Sequence, residues 1–225
     1  PIICVLMTGR PLVLPPLPPQ VKAILAAWHG GIRAGQAVAD ILFGAVSPSG
    51  RLTMSWPRSE GQIPVYYSHK NTGRPAQAAA NQFGEPFTSR YIDLPNEPLF
   101  PFGHGLSYTT FAYRDLVVET PLLGVDGVLA VRAVVENTGS RAADEVVQLY
   151  VRDLVGSVTR PVKELKGFQR ISLQPGESCT VRFDLPVSDL GFVGLDLQRA
   201  VEPGDFHVWI GRSAAEGLQG AFTVR

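Results

Sequence analysis

From about residue 112 onward apolar and polar residues alternate with a period of two, which commits the second half of the chain to half-buried β-strands. Leu129, Val131, Ala133 and Val135 alternate with Arg132 and Glu136; Val181, Phe183 and Leu185 alternate with Arg182 and Asp184; Phe206, Val208 and Ile210 alternate with His207 and Trp209. Such a period places each apolar set on one face of a sheet, and two such faces are buried by stacking. Asp126-Gly127, Gln174-Pro175-Gly176-Glu177 and Glu202-Pro203-Gly204-Asp205 punctuate the runs. In the last two, Pro suits position i+1 and Gly position i+2 of a type II turn. About seven short strands separated by such turns predict an immunoglobulin-like sandwich.

The first half is written differently. Ile2 to Met7 form an unbroken apolar run, the pattern of a parallel strand covered on both faces. A loop with Pro15, Pro16, Pro18 and Pro19 follows, and Pro19 suits the first turn of a helix. Val21, Ile24, Leu25 and Trp28 recur at i, i+3, i+4, i+7, predicting a helix that His29-Gly30-Gly31 stops. A second helix is predicted over Ala34 to Phe43, with Val38, Ile41 and Leu42 inward and Gly44 as its stop. One parallel strand with two helices is a fragment of an α/β layer, because such a strand needs neighbours on both sides. Its partners are expected upstream of residue 1, with apolar surface on Ile3, Val5 and neighbours bare unless another chain covers it. The chain also starts without Met or a charged leader, inside what reads as a core strand, and shows no signal peptide; it is expected to be a piece of something longer.

The expected organisation is therefore a fragment of an α/β layered domain over residues 1–60; an extended wrapping segment over 61–111; and an all-β sandwich over 112–225. The aromatic clusters PVYY (64–67), SRY (89–91) and LFPFGHGLSY (99–108) predict that the middle segment packs against its neighbours.

Lys+Arg and Asp+Glu each number 20, so no net field recruits nucleic acid or an anionic membrane. The apolar runs are too short to span a bilayer. Cys4 and Cys179 lack paired spacing and read as free thiols, with a single bridge left open. His29, His69, His104 and His207 have neither HxxxH nor HExxH spacing, so no metal and no cofactor is expected. GHGLS at 103–107 lacks the order of a nucleophile elbow, and GGIRAG at 30–35 lacks the Lys-Ser/Thr of a phosphate cradle. Hydrolysis of a glycosidic bond needs two flanking carboxylates. Asp40, Glu60, Glu85, Asp93 and Glu97 are the candidates, and none has a context that would raise its pKa. Aromatic residues of 64–110 could line a sugar subsite or staple the segment down, and stapling is favoured. Trp209 is expected to be buried against the segment rather than open as a platform.

Ordered stretches along nearly the whole chain resemble the C-terminal part of glycoside hydrolase family 3 β-glucosidases, especially the bacterial periplasmic type. They are VLMTGRP (5–11), AILAAW (23–28), AVADILFG (37–44), SPSGRLTMSWPRS (47–59), GQIPVYYSHKNTGRP (61–75), SRYID (89–93), PFGHGLSYTTF (101–111), NTG (137–139), EVVQLYVRD (145–153) and RPVKELKGF (160–168). The resemblance implies the end of the family's α/β domain, a connecting segment and a fibronectin type III-like domain, in a periplasmic or secreted retaining enzyme acting on β-glucosides or gluco-oligosaccharides. It implies that the nucleophilic aspartate and the acid/base carboxylate lie upstream, so no catalytic residue is expected here. His29-Gly30-Gly31-Ile32-Arg33 departs from the family pattern of an aromatic residue, Pro-Gly and acidic residues. Alternatives are a β-xylosidase or arabinosidase of the same family, or a non-catalytic scaffolding or carbohydrate-binding sandwich. The loop at 154–161 is an open candidate for approach to an active-site mouth, and the basic residues Arg160, Lys163, Lys166 and Arg170 around Glu164 are too mixed for an anion trap.

Overall fold

A computed structural model of the chain describes residues 1–75 and 88–225. The alternating runs become strands. β3 (Phe111–Val118), β5 (Val128–Asn137) and β8 (Ser178–Pro186) form one sheet in the order β3-β5-β8. β4 (Leu122–Leu123), β6 (Ala143–Asp153), β7 (Glu164–Leu173), β11 (Gly204–Gly211) and β12 (Leu218–Val224) form the facing sheet in the order β4-β12-β11-β6-β7. Leu129, Val131, Ala133 and Val135 meet Val147, Leu149, Val151, Phe206, Val208 and Ile210 between the sheets, all of them buried. The core sits here, where two apolar faces exclude water from each other. Among the described residues β9 (Phe192–Val193) and β10 (Arg199–Ala200) pair only with each other.

One turn follows expectation and one does not. Glu177 N donates to Gln174 O at 3.0 Å with Gly176 at φ +74°, the left-handed residue that a type II turn requires. Gly204 has no positive φ and already opens β11, so Glu202-Pro203-Gly204-Asp205 leads straight into a strand.

In the first half, β1 (Ile2–Leu6) has a partner within the chain. The predicted helix from Val21 is strand β2 (Val21–Ala26), paired in parallel with β1 through Ile3–Ala23, Val5–Leu25 and Leu6–Ala26. Val21, Ile24, Leu25 and Trp28 satisfy a helical spacing over only two turns. A run that short gains little as a helix and more by pairing its backbone with β1. Pro19 consequently precedes a strand, and the turn is closed by Val21 N donating to Pro18 O at 2.9 Å. The strand ends at Ala26, and Trp28 two residues on adopts φ +48°. The second helix forms as expected, α1 (Ala34–Leu42), with Gly44 at φ +77° beyond it. Val38, Ile41 and Leu42 are half-buried. Ile2, Ile3 and Met7 are 51%, 48% and 70% exposed, whereas Val5 is half-buried. Cys4 and Cys179 are free and half-buried.

Candidate functional site

The chain's buried polar chemistry lies where the tail of the first half meets the sandwich. β6 is an interior strand, between β11 and β7, and residues 143 to 151 of odd number point into the core. Glu145 falls in that register. Its carboxylate, 2% exposed, is held by the Arg51 guanidinium and by the Tyr113 hydroxyl, which donates to Oε1 at 2.7 Å from the facing sheet. Burial pushes the Glu145 carboxyl up while Arg51 and Tyr113 pull it back down. Burial, with Glu145 beside it, pushes the Tyr113 phenol well above its usual range. Both carboxylate oxygens are taken and the pair is sealed from water, a structural lock rather than an acid or base for a substrate.

On the opposite face of β6, Gln148 and Tyr150 are buried by the middle segment. Gln148 Nε2 donates to Gly103 O at 3.2 Å and to Arg212 O at 2.6 Å, and Tyr150 Oη donates to Gln148 Oε1 at 2.5 Å. Gly103 stands at φ +81°, and a Cβ there would lie 2.1 Å from Gln148 Oε1, so only glycine permits this approach. The GHGLS stretch is thus a packing element. Tyr67 stacks on Phe102 at 4.2 Å, meets the edge of Tyr150 at 6.0 Å and accepts from Leu165 N at 3.2 Å. Thr109 Oγ1 donates to Asn137 Oδ1 at 2.6 Å, tying the segment's end to a fully buried amide that also donates to Arg141 O and Leu173 O. Stapling is what these contacts do.

Trp209, expected to be buried against the middle segment, is half-buried, and among the described residues Lys163, Gln219 and His207 meet its ring. The Lys163 ammonium lies 4.2 Å from its ring and donates to Ala214 O at 2.8 Å, which leaves that face closed to a sugar. Burial lowers the Lys163 pKa to about 8. The other basic residues of 160–170 are likewise occupied: Arg160 by Glu164 at 2.9 Å, Lys166 by Asp189 O at 3.0 Å and Arg170 by Asp144.

The candidate carboxylates are not paired with one another. Asp40 accepts from Gln36 Nε2 at 2.6 Å on α1; Glu60 lies in the 310 turn Glu60–Gln62; Asp93 and Glu97 are exposed in the loops before Leu99. Glu85 lies outside the described residues. Among the described residues no hydrogen bond joins any two of these groups, and no cluster of His, Cys, Asp and Glu could hold a metal ion. His29 packs on Gly9, His69 contacts Tyr66 O, His104 stacks on Phe100 at 5.1 Å, and His207 meets the Trp209 edge at 5.6 Å.

Arg51, Tyr113 and Glu145 were not singled out from sequence. A signal existed for one of them: Glu145 is a charge in the inward register of EVVQLYV. Gln62, 1% exposed, was also missed; it accepts from Arg58 N at 2.7 Å and donates to Pro95 O at 2.9 Å, tying the segment to itself.

Residues 1–108 match the glycosyl hydrolase family 3 C-terminal domain, and residues 145–214 match the fibronectin type III-like domain. The chain belongs to glycoside hydrolase family 3. This family 3 chain is 47% identical over its whole length to a periplasmic beta-glucosidase of Salmonella typhimurium, and spans 29% of that protein. It is 44% identical over 95% of its length to a beta-xylosidase of Formosa agariphila, of which it spans 28%. Its fold superposes on the crystal structure of a beta-glucosidase from Listeria innocua in complex with glucose with a TM-score of 0.92 at 40% identity. That match covers all of this chain and 31% of the other. The family 3 chain therefore spans under a third of the length of these relatives.

Proposed function

We propose that the chain is the structural C-terminal part of a retaining β-glucosidase that removes terminal non-reducing β-D-glucosyl residues. Residues 1–60 end its α/β sandwich domain, residues 61–111 connect, and residues 112–225 form its fibronectin type III-like domain. The observation that carries this reading is the whole-length similarity to beta-glucosidases, at 47% identity to one and a TM-score of 0.92 to another. The sealed state of Glu145, and the absence among the described residues of a hydrogen bond between any two of Asp40, Glu60, Asp93 and Glu97, support an aspartate nucleophile and an acid/base carboxylate lying upstream. The exposure of Ile2, Ile3 and Met7 supports a further part of the same protein covering β1. The compartment is periplasmic or secreted, in line with the Salmonella relative; among the described residues no helix is long and apolar enough to cross a membrane.

The test is an assay of residues 1–225 alone and of the complete gene product on an aryl β-glucoside. The complete protein is expected to turn over and the 225-residue chain is not. Turnover by the chain alone would place the catalytic groups within it and sink the proposal. The similarity to the Formosa beta-xylosidase favours one second reading, that the sugar is a β-xyloside, and an aryl β-xyloside in the same assay decides between them.

A further inference from the structure

The sandwich carries one element that its own fold does not explain. Among the described residues β9 and β10 pair only with each other, two residues against two, and belong to neither sheet. An isolated two-stranded ribbon is at best marginally stable in water. Its base is held: Phe192 is 7% exposed, with the Arg160 guanidinium 4.1 Å from its ring. Its tip is bare. Val193, Leu195 and Leu197 are 55%, 84% and 81% exposed, and Leu197 sits at φ +62°, a conformation that a branched side chain adopts at a cost. The neighbouring loop adds Val155, 81% exposed. That loop is fastened beside the ribbon by Ser157, whose backbone N–H donates to Glu202 Oε2 at 2.8 Å and whose hydroxyl donates to Oε1. Between them lies a crevice of about 290 Å3, with Phe192 and Leu195 in its wall and the carboxylates of Asp196 and Glu202 at its margin.

We infer that the β9–β10 ribbon and the loop at 154–157 form a docking surface for the part of the same polypeptide that lies outside these 225 residues. The inference rests on the reading that the chain is part of a longer family 3 enzyme. Two observations select that occupant. The relatives are more than three times as long as the portion this chain matches, so most of the protein's surface area is still to be placed. The loop is also continuous with an interface of this kind: Pro161 bridges Lys70, and Val162 N donates to His69 O at 2.9 Å, joining the sandwich to the middle segment. The facing surface is apolar at its centre, to meet Val155, Leu195 and Leu197, with Lys or Arg at its edge opposite Asp196 and Glu202.

The test uses the complete protein with single cysteines at Leu195→Cys, Leu197→Cys and, as an exposed reference at the far end of the sandwich, Gln174→Cys. Maleimide labelling is read by peptide mass spectrometry, which separates these sites from Cys4 and Cys179. Labelling at 195 and 197 is expected to be at least about ten-fold slower than at 174. Hydrogen exchange of wild-type amides 194–198, which needs no substitution, is expected to be slow in parallel. Equal labelling at all three sites, or fast exchange over 194–198, overturns the inference. Protection that disappears on dilution assigns the surface to a second copy and overturns it as well. Turnover of an aryl β-glucoside by the wild-type protein is scored separately: an active enzyme with freely labelled ribbon retires the docking surface alone, and an inactive one with a protected ribbon retires the enzymatic reading alone.

Discussion

Glu145 occupies a core-facing position that Val147, Leu149 and Val151 fill with hydrocarbon, and its charge is tolerated because Arg51 and Tyr113 hold both oxygens. Removing one member of such a pair leaves the other buried without a partner, whereas replacing both with apolar groups does not. Arg51→Met is accordingly expected to destabilise the protein by about 3–5 kcal/mol, measured as a lower urea midpoint. Arg51→Met combined with Glu145→Met and Tyr113→Phe, which removes all three members, should recover much of that loss, and equal destabilisation by the single and triple variants would refute the lock. Lys163 gives a second prediction. Its folded pKa, lowered by burial to about 8, lies below the ordinary 10.5. Between those values the unfolded chain binds more protons than the folded one, so stability rises with pH across that window and levels off above it. Lys163→Met is expected to abolish the rise, and a persistent rise in that variant would assign it to another group.

At the scale of elements, the strands of the sandwich were legible because each one repeats its message several times: four inward residues in β5, three each in β8 and β11. β2 was not legible. Val21, Ile24, Leu25 and Trp28 fit a helical face, yet the run is short and its fate was settled by the parallel partner β1, a tertiary contact that local spacing does not encode. The middle segment shows the same limit. Its aromatic residues announced packing, but Tyr67 finding Phe102 and Tyr150, or Gly103 finding Gln148, depends on chain neighbours far away in sequence. The buried site was half legible, through the misplaced charge of Glu145, while nothing local marks Arg51 as its partner. Tyr67→Ala should loosen the segment without unfolding the sandwich: trypsin cleavage after Lys70 is expected to quicken by about 3–10-fold while the urea midpoint barely moves. Tyr67→Phe keeps the stacking and loses only the bond from Leu165 N, so it should fall between the two.

At the scale of the whole molecule, the two outer faces of the sandwich have different employments. The β3-β5-β8 face carries a lattice of exposed charges, Arg132 to Glu119 at 2.8 Å, Arg182 to Glu119 at 2.7 Å and Arg114 to Glu136 at 3.5 Å, which suits water and contributes little to stability. The other face takes the middle segment over Gln148 and Tyr150. A fibronectin-like sandwich that carries the middle segment on this face is a buttress: it braces the tail of the first half through Gln148, Tyr150 and Glu145. The Arg51–Glu145 contact spans 94 residues of sequence, and this has a bearing on biosynthesis. A ribosome releases Arg51 well before it has made β6, so the Arg51 guanidinium waits without its carboxylate partner until Glu145 has been synthesised. A nascent chain arrested before Glu145 would keep the bonds of Leu52 and Trp56 to His104 and Phe100 but lack this ion pair, and quality-control proteases would meet it in that looser state.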